Sequence, residues 1–545
     1  MFKGSIYQRR LMSLNGKEDQ PPAIQVVPLA HPLLETFRWD RPDGVVLLSR
    51  ERCREKETVD IPHHDWDICR ARAFCEDHAK WPLDYQAIFI DTTTGVVEFT
   101  AGHGGVTPLY IRVTDEKTDL SWSIADFYRD LSTHDIDVER AGLRLTGTSP
   151  YAATTMFRHV YMLTERASLT VAPGGPPEVR YPAAADYYMP TPLREHADIP
   201  AVAANLVEAL LDRWPVPSIA VGSEFSGGLD SAVIAAILSR HRRDGLPTYA
   251  LQISGPARDQ QTRRRDLAIQ RFRFRDRFLS VDTVPMVPFT FARHADYQVA
   301  PYNADLQRPL RHLLAAFTKT SGALAVATGT GGDELLMAHA FEQDPEQFAR
   351  NRNDAFLPDL FPSAMNRTLT NQLADYADHC DRAPFPVLPI SILEAQAARA
   401  PLFAEHGLWP ISPFAQPEAV RFYRSLPLSW RQNKTLHRKL LQHLGYPEEF
   451  LVIPQRENFE TYLTTSLVAG AASLKRELMQ ECRLHELGLV DVDRLMAAID
   501  AVRPDSDLAD VGFLFHAFNV EYMLRRLGEA VANVETSCER AGQRI

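Results

Sequence analysis

The segment at 219–238 holds the residue types best suited to binding phosphate. The string Ser-Gly-Gly-Leu-Asp-Ser at 226–231 lies between an apolar run and an alanine-rich run, which predicts a strand, a loop and a helix in that order. Free N–H groups at the start of such a helix bind anions, and glycines let the main chain approach phosphate oxygens. Ser226 and Ser231 add hydroxyl donors. The loop therefore predicts a phosphate site.

Asp230 is the unexpected residue in this loop. A carboxylate repels neighbouring phosphates unless a divalent cation lies between them, so we expect Mg²⁺ at Asp230. An ordinary strand-to-helix turn would also accept two adjacent glycines. Six matching positions between a strand and a helix favour the phosphate loop over that alternative.

A second glycine-rich segment follows the apolar run at 324–327. Its sequence is Thr-Gly-Thr-Gly-Gly-Asp-Glu at 328–334, and it leads into another apolar stretch. The alternative interpretation is a plain loop in which Asp333 caps the next helix. Alongside the first string, the segment predicts a second ligand-facing loop, with Asp333 as a second carboxylate at the metal.

Alternation of short apolar runs with helical segments surrounds both loops. We predict strands at 218–221, 248–253, 277–281 and 324–327, which is typical of an α/β fold with a parallel sheet and crossover helices. Ligands of open parallel sheets bind at the carboxyl ends of the strands, where both loops fall. Beyond about 340 the pattern predicts mostly helix.

The chain before residue 200 has a different character. Short β-rich runs with turn residues between them at 85–175 predict a meandering antiparallel sheet. Prolines and glycines at 172–177 and further prolines up to 200 predict a linker. We therefore expect two domains, at 1–190 and 200–545.

Composition narrows the class of protein. With 59 Lys and Arg against 70 Asp and Glu among 545 residues, the net charge of −11 argues against a general nucleic-acid or anionic-membrane binder. The chain has no apolar run of membrane-spanning length and no secretory signal, and its six cysteines form no C-x-x-C pair. These features predict a soluble, cytoplasmic protein with structural cysteines. Seven arginines at 263–277 predict a solvated helix face, with binding of phosphates or an acidic peptide as the alternative.

The first loop resembles the pyrophosphate loop of the N-type ATP pyrophosphatases. The second resembles the signature S-G-x-G-x-D-E of the asparagine synthetase family. A third match begins at Lys434, where Lys-Thr-Leu-His-Arg resembles K-x-x-L-R. Residues 454–459 then resemble a loop with R-Q-K-E-x-F, with Arg456 where the family has lysine. Arginine keeps the positive charge but cannot readily give up a proton.

This resemblance implies ATP and Mg²⁺ as cofactors, bound by a doubly wound parallel-sheet ATP pyrophosphatase domain with a helical extension. It implies Asp230 and Asp333 as metal ligands, and Lys434 and Arg456 as catalytic residues. The residues that it implies for cofactor binding are Phe225, Ser226, Gly227, Gly228, Asp230, Ser231, Leu251, Thr328, Gly329 and Gly331.

The N-terminal half is similar to the glutaminase domain of the same family. Segments at 87–91, 102–110 and 155–174 follow that domain's order. Active glutaminases of this type expose a cysteine at position 2 as nucleophile, whereas this chain has Phe2. The resemblance thus implies a degenerate N-terminal-nucleophile domain of αββα type, without glutamine hydrolysis.

Family members activate a carboxylate as its acyl-adenylate, which an amine then attacks. Members without the glutaminase cysteine use an amine of the substrate itself. The chain looks most like lasso peptide cyclases, which join a peptide's N-terminal amine to an Asp or Glu side chain. β-Lactam synthetases, a ligase using free ammonia, and a non-catalytic ATP-binding scaffold are the alternatives. Expected partners are a peptide or small-molecule carboxylate carrying its own amine, with a leader peptidase and a precursor-recognition protein as further candidates.

Overall fold

Three β-sheets organise the computed structural model. Two of them are antiparallel and come from the first part of the chain, and the third is parallel. The structure describes residues 1–11, 22–54, 62–147, 149–216, 219–240, 242, 244–284, 306–339, 342, 362–506 and 508–528.

The two antiparallel sheets pack face to face. Their strands are β1 (Phe2–Ile6), β2 (Ile24–Pro28), β3 (Leu34–Arg41), β4 (Gly44–Glu51), β5 (Tyr85–Asp91), β6 (Val97–Ala101), β7 (Tyr110–Val113), β8 (Thr118–Ser121), β9 (Val160–Met162), β10 (Ser168–Val171) and β11 (Glu178–Arg180). The strand orders are β2-β1-β8-β7-β9 and β11-β10-β6-β5-β4-β3. Alternate side chains such as Ile88, Phe99 and Ile111 fill the shared core, as the two-residue period of a strand requires.

Three helices belong to the same part of the chain. They are α1 (Gln8–Leu11), α2 (Ile68–Asp77) and α3 (Val138–Leu145). Helix α2 starts where Asp67 accepts a hydrogen bond from the backbone N–H of Arg70, and it packs on β3 and β4 through Ala71 and Cys75. The antiparallel structure starts at Phe2, well before the predicted 85, because strands β1 to β4 alternate less regularly and were not recognised in the sequence.

The parallel sheet confirms the mixed α/β prediction for the second part of the chain. Its strands are β12 (Val221–Glu224), β13 (Pro247–Gln252), β14 (Arg275–Ser280), β15 (Ala325–Ala327) and β16 (Trp409–Ile411), in the order β14-β13-β12-β15-β16. Strand β12 starts three residues later than the predicted 218, and β16 lies in a stretch predicted to be helical. The chain moves one way from β12 to β14 and the other way from β15 to β16, so β12 and β15 form the switch point of the sheet.

Helices make up most of the remaining described chain. They are α4 (Ile199–Leu211), α5 (Leu229–Ser239), α6 (Arg258–Phe272), α7 (Gln307–Ser321), α8 (Gly332–Leu336), α9 (Arg367–His379), α10 (Ile390–Glu405), α11 (Pro417–Arg424), α12 (Leu428–Arg431), α13 (Thr435–His443), α14 (Glu448–Leu451), α15 (Glu460–Gln480), α16 (Arg483–Glu486), α17 (Val492–Ala501) and α18 (Leu508–Leu524). Across the described ranges, none of the helices has the length and apolar character needed to cross a bilayer. The domain boundary at 190–200 stays a prediction.

Glu51 joins the antiparallel and parallel parts of the molecule. This residue ends β4, and its Oε1 accepts hydrogen bonds from the indole N–H groups of Trp214 at 2.9 Å and Trp409 at 2.6 Å. Its Oε2 accepts a bond from the backbone N–H of Asp84 at 2.8 Å. Burial, together with the Asp84 carboxylate, raises the pKa of Glu51 to about 7 in spite of these donors.

Candidate active site

Two loops lie side by side at the switch point of the parallel sheet. One connects β12 to α5 and the other connects β15 to α8. A Cβ atom on Gly329 would lie 2.7 Å from the backbone nitrogen of Ser231, and one on Gly332 would lie 2.6 Å from the Cβ and Cγ of Asp230. Such distances are too short for non-bonded heavy atoms. Glycine at both positions therefore lets the two loops touch.

The first loop presents hydrogen-bond donors at the start of α5. Gly228 occupies the position before the helix and offers no side-chain cap to its N–H groups. The hydroxyls of Ser226 and Ser231 lie 3.1 Å apart, and Ser231 also donates to the carbonyl of Gly228 at 3.2 Å. Hydroxyls and helix N–H groups together form the arrangement that binds anions. The loop has the strand-loop-helix geometry that its sequence predicts. Its contacts with phosphate stay a prediction.

Helix α6 holds the main chain of this loop. The side-chain amide of Gln261 donates to the carbonyl of Ser226 at 3.0 Å, and the guanidinium of Arg265 donates to the carbonyl of Phe225 at 3.1 Å. Arg265 in turn pairs with Asp276 at 2.5 Å and is 3% exposed. These two positioning residues were not identified from the sequence.

Two of the seven arginines at 263–277 depart from the solvated face that we expected. Arg264 is as buried as Arg265, and its guanidinium pairs with Glu457 at 2.7 Å. Arg264 and Arg265 are buried because one face of α6 packs against β14 and against the segment that carries Glu457. The other five arginines are exposed, as predicted: Arg263, Arg271, Arg273, Arg275 and Arg277.

The two predicted metal ligands, Asp230 and Asp333, both contact the ammonium of Lys434. The ammonium of Lys434 lies 2.7 Å from Oδ2 of Asp230 and 2.5 Å from Oδ1 of Asp333. The side chain of Asp230 is 13% exposed, whereas that of Asp333 is 72% exposed. One carboxylate is thus fixed within the protein and the other faces solvent, with a cation between them.

Electrostatics keep this cluster charged. Burial alone would raise the pKa of Asp230, but hydrogen bonding to His437 and the charge of Lys434 outweigh it and leave that pKa below the usual range. Burial alone would lower the pKa of Lys434, but the two carboxylates raise it above the usual value. The ion pairs therefore persist at neutral pH.

His437 is a member of the cluster that sequence reasoning missed. Its Nδ1 lies 2.6 Å from Oδ1 of Asp230, its Nε2 lies 3.2 Å from the hydroxyl of Tyr423, and its side chain is fully buried. The pattern K-x-x-L-R has leucine at this position. That departure from the pattern was the available signal.

The resemblance implies that Leu251, Thr328 and Gly329 lie against adenosine and that Gly331 also binds the cofactor, and these residues occupy the carboxyl ends of neighbouring strands. Leu251 is half-buried near the end of β13. Thr328 follows β15, is 2% exposed, and shares a hydrogen bond of 2.8 Å with the hydroxyl of Ser412. Gly331 follows in the same loop and lies against Phe414. The structure places these residues at the same edge of the sheet as the phosphate loop, and their contact with adenosine stays a prediction.

Arg456 lies apart from the carboxylate pair. Its side chain is 83% exposed and pairs with Glu460 at 3.6 Å. Across the ranges that the structure describes, no ion pair joins Arg456 to Asp230 or Asp333. Its predicted catalytic role therefore stays a prediction.

Phe2 lies in the apolar core between the two antiparallel sheets. Its side chain is 1% exposed, at the first position of β1. An apolar ring offers no nucleophilic atom. Phe2 is thus a core residue, and the absence of glutamine hydrolysis that the resemblance implies stays a prediction.

Comparison with known proteins points to one family. Residues 201–384 match the family model of asparagine synthase. The match covers roughly a third of the chain and includes both loops, whereas Lys434 and Arg456 lie beyond it. A search of curated proteins gives no match.

Among solved structures, the chain is similar to the U34-tRNA thiolase NcsA from Methanococcus maripaludis with its 4Fe-4S cluster. The two share 12% sequence identity over 57% of this chain and 84% of that chain, with a TM-score of 0.24. A TM-score of this size marks a partial likeness only.

Proposed function

We propose that the protein is an ATP- and Mg²⁺-dependent ligase that activates a carboxylate as its acyl-adenylate and joins it to an amine. The observation that carries the proposal is the carboxylate pair of Asp230 and Asp333, which shares one cation beside the uncapped start of α5. An anion site and a cation site in contact with each other suit a metal–polyphosphate ligand. The match to the asparagine synthase family model supports the same class of reaction.

The residues present fit a magnesium ion. Carboxylate oxygens are hard ligands of the kind that Mg²⁺ prefers, and Asp230 and Asp333 already attract the ammonium of Lys434. Asp230 and Asp333 would hold Mg²⁺, which would neutralise charge on the phosphates. Ser226, Ser231 and the N–H groups of α5 would hold the pyrophosphate that leaves.

The proposed reaction has two steps. A substrate carboxylate oxygen attacks the α-phosphorus of ATP, and the bond to the leaving pyrophosphate breaks. An amine then attacks the acyl carbon, AMP leaves with the original carboxylate oxygen, and the amine loses its proton. Lys434 would stabilise negative charge that develops on the phosphates, since it is held as an ammonium by the two carboxylates.

We further propose that the amine belongs to the substrate. Phe2 leaves the N-terminal domain without a nucleophile for releasing ammonia from glutamine. The face-to-face antiparallel sheets with α2 on one outer surface support a degenerate glutaminase-like domain over 1–190. Closure of a macrolactam between a peptide's N-terminal amine and an Asp or Glu side chain, as in lasso peptides, is the specific activity that we propose.

A non-catalytic ATP-binding scaffold is the second candidate. The exposure of Arg456, away from the carboxylate pair, is the observation that favours it. A scaffold would bind ATP without cleaving it. Pyrophosphate release therefore separates the two functions.

The test combines pyrophosphate release with mass spectrometry of the product. Purified protein is incubated with Mg²⁺, ATP and precursor peptides that carry Asp or Glu at different ring positions. We expect release of pyrophosphate and loss of one water from a cyclised peptide. Asp230→Asn should lower the rate by about 10²-fold or more, because it removes a carboxylate that the metal requires. Asp115→Asn, at an exposed turn, is the matched control.

Three outcomes are distinct. Cyclised peptide with pyrophosphate supports the proposal, and pyrophosphate with an uncyclised product would indicate another acceptor amine. ATP binding without any cleavage would refute the ligase and favour the scaffold.

A further inference from the structure

A buried group of ring side chains lies behind the cation site and holds Asp230. The imidazole of His437 contacts Oδ1 of Asp230 at 2.6 Å and the hydroxyl of Tyr423 at 3.2 Å. Phe414 stacks on the imidazole with ring centroids 5.1 Å apart and an angle of 28° between the planes. All three rings are fully buried, and we refer to them as the aromatic support.

The two oxygens of Asp230 have different partners. Oδ1 is taken by the imidazole, whereas Oδ2 faces the ammonium of Lys434 at 2.7 Å. Asp333 approaches the same ammonium through a single oxygen as well. The cation position is therefore defined by one oxygen from each carboxylate.

The aromatic support also contacts the loop that carries Asp333. A Cβ atom on Gly331 would lie 3.0 Å from the carbonyl carbon of Phe414 and 3.1 Å from its Cβ. The ring of Phe414 meets that of Tyr423 edge-on, with centroids 5.7 Å apart. One packed unit thus touches Asp230 directly and the Asp333 loop through Phe414, so it fixes the two loops relative to each other.

Leucine is the residue that the pattern K-x-x-L-R has at position 437. A leucine side chain fills a buried position but cannot donate a hydrogen bond to a carboxylate. The imidazole of this chain adds a donor within a dry environment, where a charge-assisted hydrogen bond is strong and directional. Burial without a solvent-facing atom shows that His437 acts through Asp230 and not on a ligand.

We infer that His437, held by Tyr423 and Phe414, is a positioning residue that fixes the orientation of Asp230, the carboxylate that would hold the metal. The inference rests on the proposed function and deepens it at the same site. Partners that orient a ligating group contribute to metal affinity, and their loss costs 10- to 100-fold. Mg²⁺ is commonly held in proteins by one or two carboxylates together with substrate phosphates, so Asp230 and Asp333 would hold the metal.

The test measures metal binding separately from turnover. Mn²⁺ replaces Mg²⁺, and its affinity for the full chain in the presence of ATP is titrated by electron paramagnetic resonance. We expect His437→Leu to weaken Mn²⁺ binding by about 10-fold or more. His437→Asn should restore most of the affinity, because its amide nitrogen donates from the position of Nδ1. Tyr423→Phe should have a smaller effect in the same direction.

Controls keep the inference refutable. Circular dichroism and thermal melting establish whether each variant folds, and His437→Gln, whose donor falls at the position of Nε2, replaces His437→Leu should the leucine variant not fold. A folded His437→Leu protein with wild-type Mn²⁺ affinity would overturn the inference, and so would an asparagine variant as weak as the leucine variant. Wild-type protein that binds Mn²⁺ and ATP but releases no pyrophosphate refutes the proposed function instead, and the variant affinities still decide the role of His437.

Discussion

Replacing Glu51 by glutamine should change how stability depends on pH. The carboxyl group is buried between Trp214 and Trp409, and its pKa is raised from the ordinary 4.5 to about 7. Because the folded state binds the proton more tightly than the unfolded state, the carboxyl group destabilises the fold progressively as pH rises from 4.5 through 7. Glutamine resembles the protonated acid in shape and carries no charge.

The magnitude follows from the pKa values. A shift from 4.5 to about 7 corresponds to roughly 3 kcal/mol once the carboxyl is fully ionised, and most of that difference develops between pH 5 and pH 8. We therefore expect the stability of Glu51→Gln relative to wild type to rise by roughly 2–3 kcal/mol over this interval. Glu51→Gln also removes a negative charge beside Asp84, whose pKa is raised by burial. Loss of this repulsion likewise raises the stability of the variant relative to wild type as pH rises.

Urea unfolding followed by tryptophan fluorescence at pH 5 and pH 8 measures the effect, because Trp214 and Trp409 report on this contact directly. Glu116→Gln, at an exposed turn, is the control for removal of a carboxylate outside the core. A difference between Glu51→Gln and wild type that stays constant from pH 5 to pH 8 would show that Glu51 titrates normally. The buried contact between the two parts of the molecule would then be described incorrectly.

Three further predictions concern the proposed chemistry. Gly332→Ala should slow ATP–pyrophosphate exchange by roughly 10²-fold, because its Cβ would lie 2.6 Å from Asp230 and force the loops apart, whereas Gly175→Ala, with 3.6 Å to its nearest neighbour, should exchange normally. The catalytic role that the resemblance implies for Arg456 predicts that Arg456→Ala slows exchange by roughly 10²-fold and that Arg456→Lys, which keeps the positive charge, retains most of it; a wild-type rate in Arg456→Ala would remove this residue from adenylation. Glutamine should neither be hydrolysed nor stimulate product formation, because Phe2 provides no nucleophile, and glutamate release at the rate of ATP cleavage would contradict this.

Local sequence signals predicted the parallel sheet and its two loops. Alternating strands and helices, with glycine-rich strings after two of the strands, indicate which strand ends carry the ligand-facing segments. The structure places Asp230 and Asp333 around Lys434 at the switch point, as strand order in such folds requires. The predicted strand boundaries were less accurate. Strand β12 covers Val221–Glu224, whereas the sequence predicts a strand at 218–221.

Contacts distant in sequence could not be predicted in the same way. His437 and Tyr423 lie some two hundred residues beyond Asp230, and a single histidine in a helix carries no periodic signal. Arg264 and Arg265 resemble their exposed neighbours in sequence, and only the packing of α6 on Glu457 and Asp276 distinguishes them. The burial of Glu51 between two tryptophans likewise depends on how separate parts of the chain meet.

The most direct test of the central claim is the fate of carboxylate oxygen during the reaction. A substrate labelled with oxygen-18 in the reacting carboxylate is incubated with the protein, Mg²⁺ and unlabelled ATP, and the nucleotide products are analysed by phosphorus NMR and mass spectrometry. Adenylation followed by attack of an amine predicts one labelled oxygen in AMP together with unlabelled pyrophosphate. Label in inorganic phosphate with ADP as the nucleotide product, or unlabelled AMP, would contradict an acyl-adenylate at this site.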